Sequence, residues 1–242
     1  MINSNKVMLI TGAGKRIGAY IAKAAHADGY NLALHYRTSM EQTHELAKQL
    51  NAIRNNSCLC IQADFDYEFD FKKIITEIGS KYKRLDVLIN NASEFFATDI
   101  AELSPQNYDK LFNSNVKGAL FLSKACLPLL LKSQGNIINM VDIHADKPLK
   151  NYPIYSMAKA ANKMMVKALA KEYAPTIRVN GISPGFIEAP VDEKMNSDVI
   201  NRIALKCKGN KQHIYQTIQF ILENHYLTGQ IIRIDGGRSL HM

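Results

Sequence analysis

Short apolar runs alternate with stretches of helical period from one end of this chain to the other, and that alternation restricts the fold more than any other feature. Residues 7–11, 31–36, 57–62, 87–90, 136–141, 177–182 and 230–234 read as seven strands. Between them, apolar residues recur at three- and four-residue spacing over 17–28, 40–54, 69–82, 105–132 (open to a break), 154–173 and, less regularly, 197–223. Strands that are apolar at nearly every position, not at alternate ones, must be covered on both faces. The pattern therefore predicts an α/β fold, a doubly wound parallel sheet of about seven strands in a three-layer arrangement. No repeat, low-complexity tract or linker interrupts it, so residues 1–242 read as a single domain.

Composition excludes several classes. With 47% hydrophobic and 21% charged residues in 242, the chain can bury a sizeable core without staples. Cys58 and Cys60 are separated only by Leu59, which is neither redox nor zinc spacing; with Cys126 and Cys207 they read as free, mostly buried thiols in a reducing compartment. No apolar stretch reaches membrane-spanning length, since residues 125–131 contain Pro128, and the apolar start at residues 7–10 is too short for a signal peptide. A soluble cytoplasmic protein is expected. The net charge of +8 comes from scattered residues such as Lys159, Lys163, Lys167 and Lys171, without the basic stripe and interleaved aromatics of a nucleic-acid binder. It reads chiefly as a solvated surface, with some of it attracting a phosphorylated cofactor.

The first strand runs into Thr11-Gly12-Ala13-Gly14-Lys15-Arg16-Ile17-Gly18, which opens the first helix. Gly12, Gly14 and Gly18 let the chain turn tightly and bring backbone N–H groups near a pyrophosphate, where the helix N-terminus adds partial positive charge. The GxGxxxG spacing differs from the GxGxxG fingerprint, and its place between strand and helix is what points to a dinucleotide, with Lys15, Arg16 and Ile17 inside the cofactor turn. The second strand ends in His35-Tyr36-Arg37-Thr38-Ser39, with no acid where an NAD site binds its ribose hydroxyls. Arg37 and Arg16 can clamp a 2′-phosphate, with Thr38 or Ser39 donating to it and Tyr36 beside them. The alternative is that both arginines are exposed loop charges. NADPH is the expected cofactor. Asp64 is either a partner for the adenine amino group or a loop or cap aspartate.

Tyr155-Ser156-Met157-Ala158-Lys159 puts a phenol and an ammonium four residues apart on one helical face. A free tyrosine, with a pKa of about 10, is a poor acid–base partner at neutral pH. A neighbouring ammonium is expected to lower that value and make the pair a tunable acid. Taken in order, the glycine turn, Asn90-Asn91-Ala92, Asn115, Tyr155 with Lys159, Asn180-Gly181 before Pro184-Gly185, and Thr228-Gly229 before Asp235-Gly236-Gly237 resemble the short-chain dehydrogenases/reductases over essentially the whole chain. The resemblance implies a Rossmann-like sheet, hydride transfer from nicotinamide, and a proton relay through Tyr155, Lys159 and Asn115. It also implies a cofactor groove bordered by Asn90, Asn91, Ala92, Ser93, Pro184 and Gly185, and a homotetramer built on the long helices.

Two departures narrow the resemblance. Arg16 stands where the usual turn has its middle glycine, and Asp142 stands where the usual catalytic serine is expected. Asp142 can hydrogen-bond Tyr155, directly or through water, and can accept from an amino-substituted heterocycle better than a hydroxyl does; a loop acid is the alternative. With residues 14–18, 35–39 and 90–95, Asp146, Pro148 and residues 235–240, these features resemble the pteridine reductases within the family. That likeness implies NADPH-dependent reduction of a dihydropterin such as dihydromonapterin, dihydrobiopterin or dihydrofolate. Phe95 would stack the pterin against the nicotinamide, Ser93 and Arg16 would contact ring or phosphate, and Asp142 and Tyr155 would complete the substrate site. Phe95 as a core residue beside Phe96 is the alternative. Residues 186–190 and the lysine-rich stretch after them depart from the branch's substrate loop and read as a lid. The histidines form no metal-binding group and read mostly as surface, with His144 a candidate to touch substrate; no metal is needed. Competing functions are reduction of a sugar, steroid or acyl-carrier carbonyl, and NADPH binding without catalysis.

Overall fold

The expected strands form one sheet in the computed structural model, which describes residues 5–187 and 197–241. β1 (Val7–Ile10), β2 (Asn31–Tyr36) and β3 (Cys58–Gln62) alternate with α1 (Arg16–Ala27), α2 (Met40–Ile53) and α3 (Glu68–Tyr82). β4 (Val87–Asn90) leads to α4 (Pro105–Phe112), a π turn at Asn113–Lys117 and α5 (Gly118–Ser133). β5 (Asn136–Met140) is followed by α6 (Pro153–Tyr173), and β6 (Arg178–Pro184) by α7 (Ser197–Asn201) and α8 (Lys211–Glu223), before β7 (Ile231–Ile234). The order is β3-β2-β1-β4-β5-β6-β7, and every neighbouring pair is parallel. Winding reverses between β1 and β4, and the carboxyl ends of strands at such a reversal leave a crevice.

Successive strand residues feed opposite layers. Val7 and Leu9 pack with Ile74 and Ile78 of α3, Leu122 and Cys126 of α5, and Val166 and Leu169 of α6. Met8 and Ile10 face the other way, onto Ile21 and Ala25 of α1, Leu46 and Leu50 of α2, and Ile214 and Ile218 of α8. Each such side chain contributes about 1.5–3 kcal/mol when taken fully out of water, which is why the strands read as unbroken apolar runs.

Two expected helices are divided. The stretch after β4 breaks at Asn113–Lys117, where side-chain amides take over backbone bonds: Asn115 Nδ2 donates to the Leu111 carbonyl at 3.0 Å, and Asn162 Nδ2 donates to the Asn115 carbonyl at 2.7 Å. Residues 197–223 separate into α7 and α8 because Asn210 caps α8 in reciprocal bonds with His213. The cysteines are unpaired, but only Cys58 and Cys126 are fully buried, while Cys207 is exposed. Among the described residues no helix is long and apolar enough to cross a membrane.

Candidate active site

The glycine turn is clasped from three strands. Thr11 Oγ1 accepts the Asn91 and Ala92 N–H groups at 2.9 Å each, while Asn91 Nδ2 donates to the Thr11 carbonyl at 2.9 Å and the Gly12 carbonyl at 3.3 Å. Gly12 itself has φ +63 and its N–H donates to His35 Nδ1 at 3.3 Å. A Cβ at Gly18 would be driven into the Gly12 carbonyl oxygen, and one at Gly14 would meet Ser39 Oγ at 2.6 Å. Two cavities, of about 360 and 200 Å³, share Gly12, Ala92 and Ser93 and so line one groove along the strand ends. Lys15, Arg16, Ile17, Gly18, Asn91, Pro184 and Gly185 border the larger cavity. A side-chain-free cradle opening onto an elongated groove fits a dinucleotide. Arg16 keeps φ +52, the left-handed conformation that a glycine would adopt without strain, at a cost of about 1–2 kcal/mol.

His35 is one of three buried histidines, with His26 and His144. Its Nε2 sits 3.1 Å from the Ala63 carbonyl, which can only accept, and its Nδ1 faces the Gly12 N–H, which can only donate. Both contacts suit the neutral Nε2–H tautomer. Burial, opposed by the Ala63 bond, pushes its pKa down to about 4 from 6.5. The neutral form is thus favoured by folding, and its contribution is complete above pH 6.5 and lost as pH falls through about 4. Denaturant titrations at pH 7 and pH 4 should show the protein losing about 3 kcal/mol more than a His35→Asn variant, which cannot titrate. Equal losses would remove His35 from the account.

At the far end of the groove, the smaller cavity is lined by Arg37, Thr38, Ser39 and Asp64, together with Lys110, Asn113 and Ser114. Arg37 is ion-paired with Glu94, a residue 57 positions away that reaches across from the loop after β4. One oxygen of Asp64 accepts the Asp66 N–H at 3.1 Å, as a loop aspartate does. Tyr36 does not reach the wall; its buried ring lies under α2, with the hydroxyl 3.1 Å from His44 Nε2.

Nearer β5 and α6, the Tyr155 hydroxyl donates to Asp142 Oδ2 at 2.8 Å, and Asp142 Oδ1 accepts the His144 N–H at 2.9 Å. Lys159 Nζ is fully buried, 5.6 Å from the centre of the Tyr155 ring, and donates to the Met140 carbonyl at 3.0 Å. This overturns the expectation that Lys159 lowers the tyrosine's pKa. Burial first, then the charge and hydrogen bond of Asp142, hold the phenol well above its ordinary range, and Arg16 only partly opposes them. Lys159 is itself lowered to about 8 by burial, against the pull of Asp142.

Phe95 lies edge-on to Tyr155, ring centres 4.8 Å apart, but one of its faces is stacked on Tyr152 at 4.5 Å. Phe95 is partly exposed and borders the larger cavity. Asn115 is buried and off the cavity wall, one end of an amide chain. Asn90 Nδ2 donates to Asn139 Oδ1 at 2.9 Å, Asn139 Nδ2 to Asn162 Oδ1 at 3.0 Å, and Asn162 to the Asn115 carbonyl. His144 lines the larger cavity, with Nδ1 2.9 Å from the Lys147 carbonyl.

The walls also include Phe186 and Ile187 from the stretch expected to act as a lid, and Met140 and Arg238, to which no site role was assigned from the sequence. Of these, Arg238 follows the Asp235-Gly236-Gly237 turn, which was the one available signal. Residues 188–196 of the expected lid lie outside the described residues.

The family model for short chain dehydrogenase matches residues 6–200. Pteridine reductase 1 of Leishmania tarentolae is 34% identical over 97% of this chain and 96% of its own length. The 3-oxoacyl-[acyl-carrier-protein] reductase FabG of Staphylococcus epidermidis is 30% identical over 96% of this chain and 98% of its own. Sheet order, clasped glycine turn and matched sequence agree: the chain belongs to the short-chain dehydrogenase family of oxidoreductases.

Proposed function

We propose that this oxidoreductase uses NADPH to reduce a dihydropterin, such as dihydromonapterin, dihydrobiopterin or dihydrofolate, to its tetrahydro form. The observation that carries the reading is the Asp142 carboxylate bonded to the Tyr155 hydroxyl in a cavity that Phe95 also lines. A carboxylate there can accept from the amino and N–H groups of a flat heterocycle, which a simple ketone lacks. The likeness to pteridine reductase 1 supports the same substrate class.

When bound, the reduced nicotinamide supplies the hydride to the carbon of the C=N bond. The protein's part is the proton. Tyr155, kept neutral by its surroundings, holds the O–H that can protonate the ring nitrogen. Arg16 opposes the build-up of phenolate charge, Asp142 orients the hydroxyl, and Lys159, charged below about pH 8, lies 5.6 Å from the ring centre. Arg37 is the candidate for the 2′-phosphate, which would displace Glu94 from it. Arg37→Asp removes that cation and leaves two carboxylates facing the phosphate. The ratio of kcat/KM for NADPH to that for NADH should fall roughly 10- to 100-fold; an unchanged ratio refutes the clamp. The exposed apolar residues Leu120, Phe121 and Leu131 of α5 and Met164 of α6 support a tetramer built on those helices.

A second reading, reduction of a ketone on an acyl carrier, is favoured by the FabG relative and needs only Tyr155 and Lys159. NADPH oxidation against a panel of 7,8-dihydropterins, dihydrofolate, 3-oxoacyl thioesters, quinones and simple ketones separates the two. Faster consumption of the dihydropterins is expected. Preference for the thioesters would sink the pterin assignment.

A further inference from the structure

The turn after β7 is braced more firmly than a chain end requires. Gly236 and Gly237 have φ +60 and +81, and Asp235 accepts the Gly237 N–H through Oδ1 and the Ser239 N–H through Oδ2, both at 2.9 Å. Ser239 Oγ accepts from Arg233 at 3.2 Å, and the Leu205 N–H donates to the Gly236 carbonyl at 3.0 Å. The side chain so placed, Arg238, enters the wall of the larger cavity with Phe95, Asp142, His144 and Tyr155. It is half-buried, yet among the described residues its guanidinium makes neither a hydrogen bond nor an ion pair. Asp142 and Asp235 are near enough to attract it and Arg202 to repel it, although neither carboxylate is hydrogen-bonded to its guanidinium.

A half-buried guanidinium carries five N–H donors in a planar fork matched to a carboxylate or phosphate, and a ligand in this cavity comes within their reach. We propose that Arg238 is a specificity-determining residue that binds an oxyanion, carboxylate or phosphate, on the substrate's side chain, so that the enzyme prefers anionic substrates to neutral ones of the same ring. The inference deepens the pterin reading by dividing the recognition: Asp142 takes the donors of the ring, and Arg238 takes the charge of its substituent. Where it rests on that reading is the identity of the ring; the charge preference can be tested without it.

The test compares kcat and KM for matched probes in the unaltered protein, Arg238→Met and Arg238→Lys. One set is 6-hydroxymethyl-7,8-dihydropterin, its phosphate ester and 7,8-dihydropterin-6-carboxylate, which separates the two oxyanions. The other is acetoacetate and its ethyl ester, which needs no pterin. A charged probe should be preferred by the unaltered protein, and the preference should fall about tenfold or more in Arg238→Met, through KM and not kcat, with partial rescue in Arg238→Lys. If only the keto pair is turned over, the pterin reading fails while Arg238 is still judged on that pair. No preference for charge in either set, or a preference that Arg238→Met retains, overturns the proposal.

Discussion

Tyr155→Phe is expected to bind NADPH almost as the unaltered protein does while its turnover falls about 10²- to 10⁴-fold, the usual contribution of a positioned general acid. The ring remains, so its edge contact with Phe95 and its packing on Leu111 and Ile154 persist, and the fold should hold. What disappears is the one O–H within reach of both Asp142 and the cavity. The Lys159 ammonium keeps its bond to the Met140 carbonyl at 3.0 Å, so the variant removes the phenol's proton without unseating the cation. Steady-state kinetics with a cofactor titration on the same preparation separates the two effects. Undiminished turnover would remove Tyr155 from the chemistry, and lost NADPH binding would make the residue structural.

Gly18→Ala should be as damaging by a different route. The added methyl meets the backbone carbonyl oxygen of Gly12, which cannot rotate away, and also the Asn91 Nδ2 at 2.8 Å. Either the first turn of α1 moves away or the Thr11–Asn91 clasp opens, and both displace the backbone of the cradle. Overpacking of this kind costs about 1–3 kcal/mol of stability. A displaced cradle should weaken the dinucleotide's dissociation constant by roughly 100-fold, two decades at about 1.4 kcal/mol each. Gly14→Ala is the internal comparison, because its methyl would press mainly on the Ser39 and Thr43 side chains, which can rotate. Calorimetric titration with NADPH should rank Gly18→Ala well below Gly14→Ala. Equal affinities would mean that the turn is not held as described.

The sheet was legible because strands covered on both faces leave continuous apolar runs, and because Gly12 and Gly18 sit where only a strand-to-helix turn uses them. What could not be read were contacts that depend on burial or on distant partners. The bond between Asp142 and Tyr155 was an expectation the structure contains, but the burial of Tyr155 and Lys159 had no local sign, and burial is the first cause of the reversed shift of the tyrosine. The engagement of Arg37 by Glu94 spans 57 residues. Tyr152 was overlooked although it lies one turn before Tyr155, because nothing local says that it will cover one face of Phe95. Arg16 was legible as a departure, but its positive φ was not, since an arginine gives no sign of adopting the conformation of the glycine it replaces.

The amide chain from Asn90 to Asn115 has a consequence for how such an enzyme can diversify. Asn139 and Asn162 each donate to one neighbour and accept from another, so trading either for an apolar residue removes two hydrogen bonds from a buried chain. Single substitutions there are traps, and only concerted changes escape them. Phe186 and Arg238 lie on the cavity wall outside that amide chain, so a substitution at either leaves the bonds of the floor in place while the mouth changes.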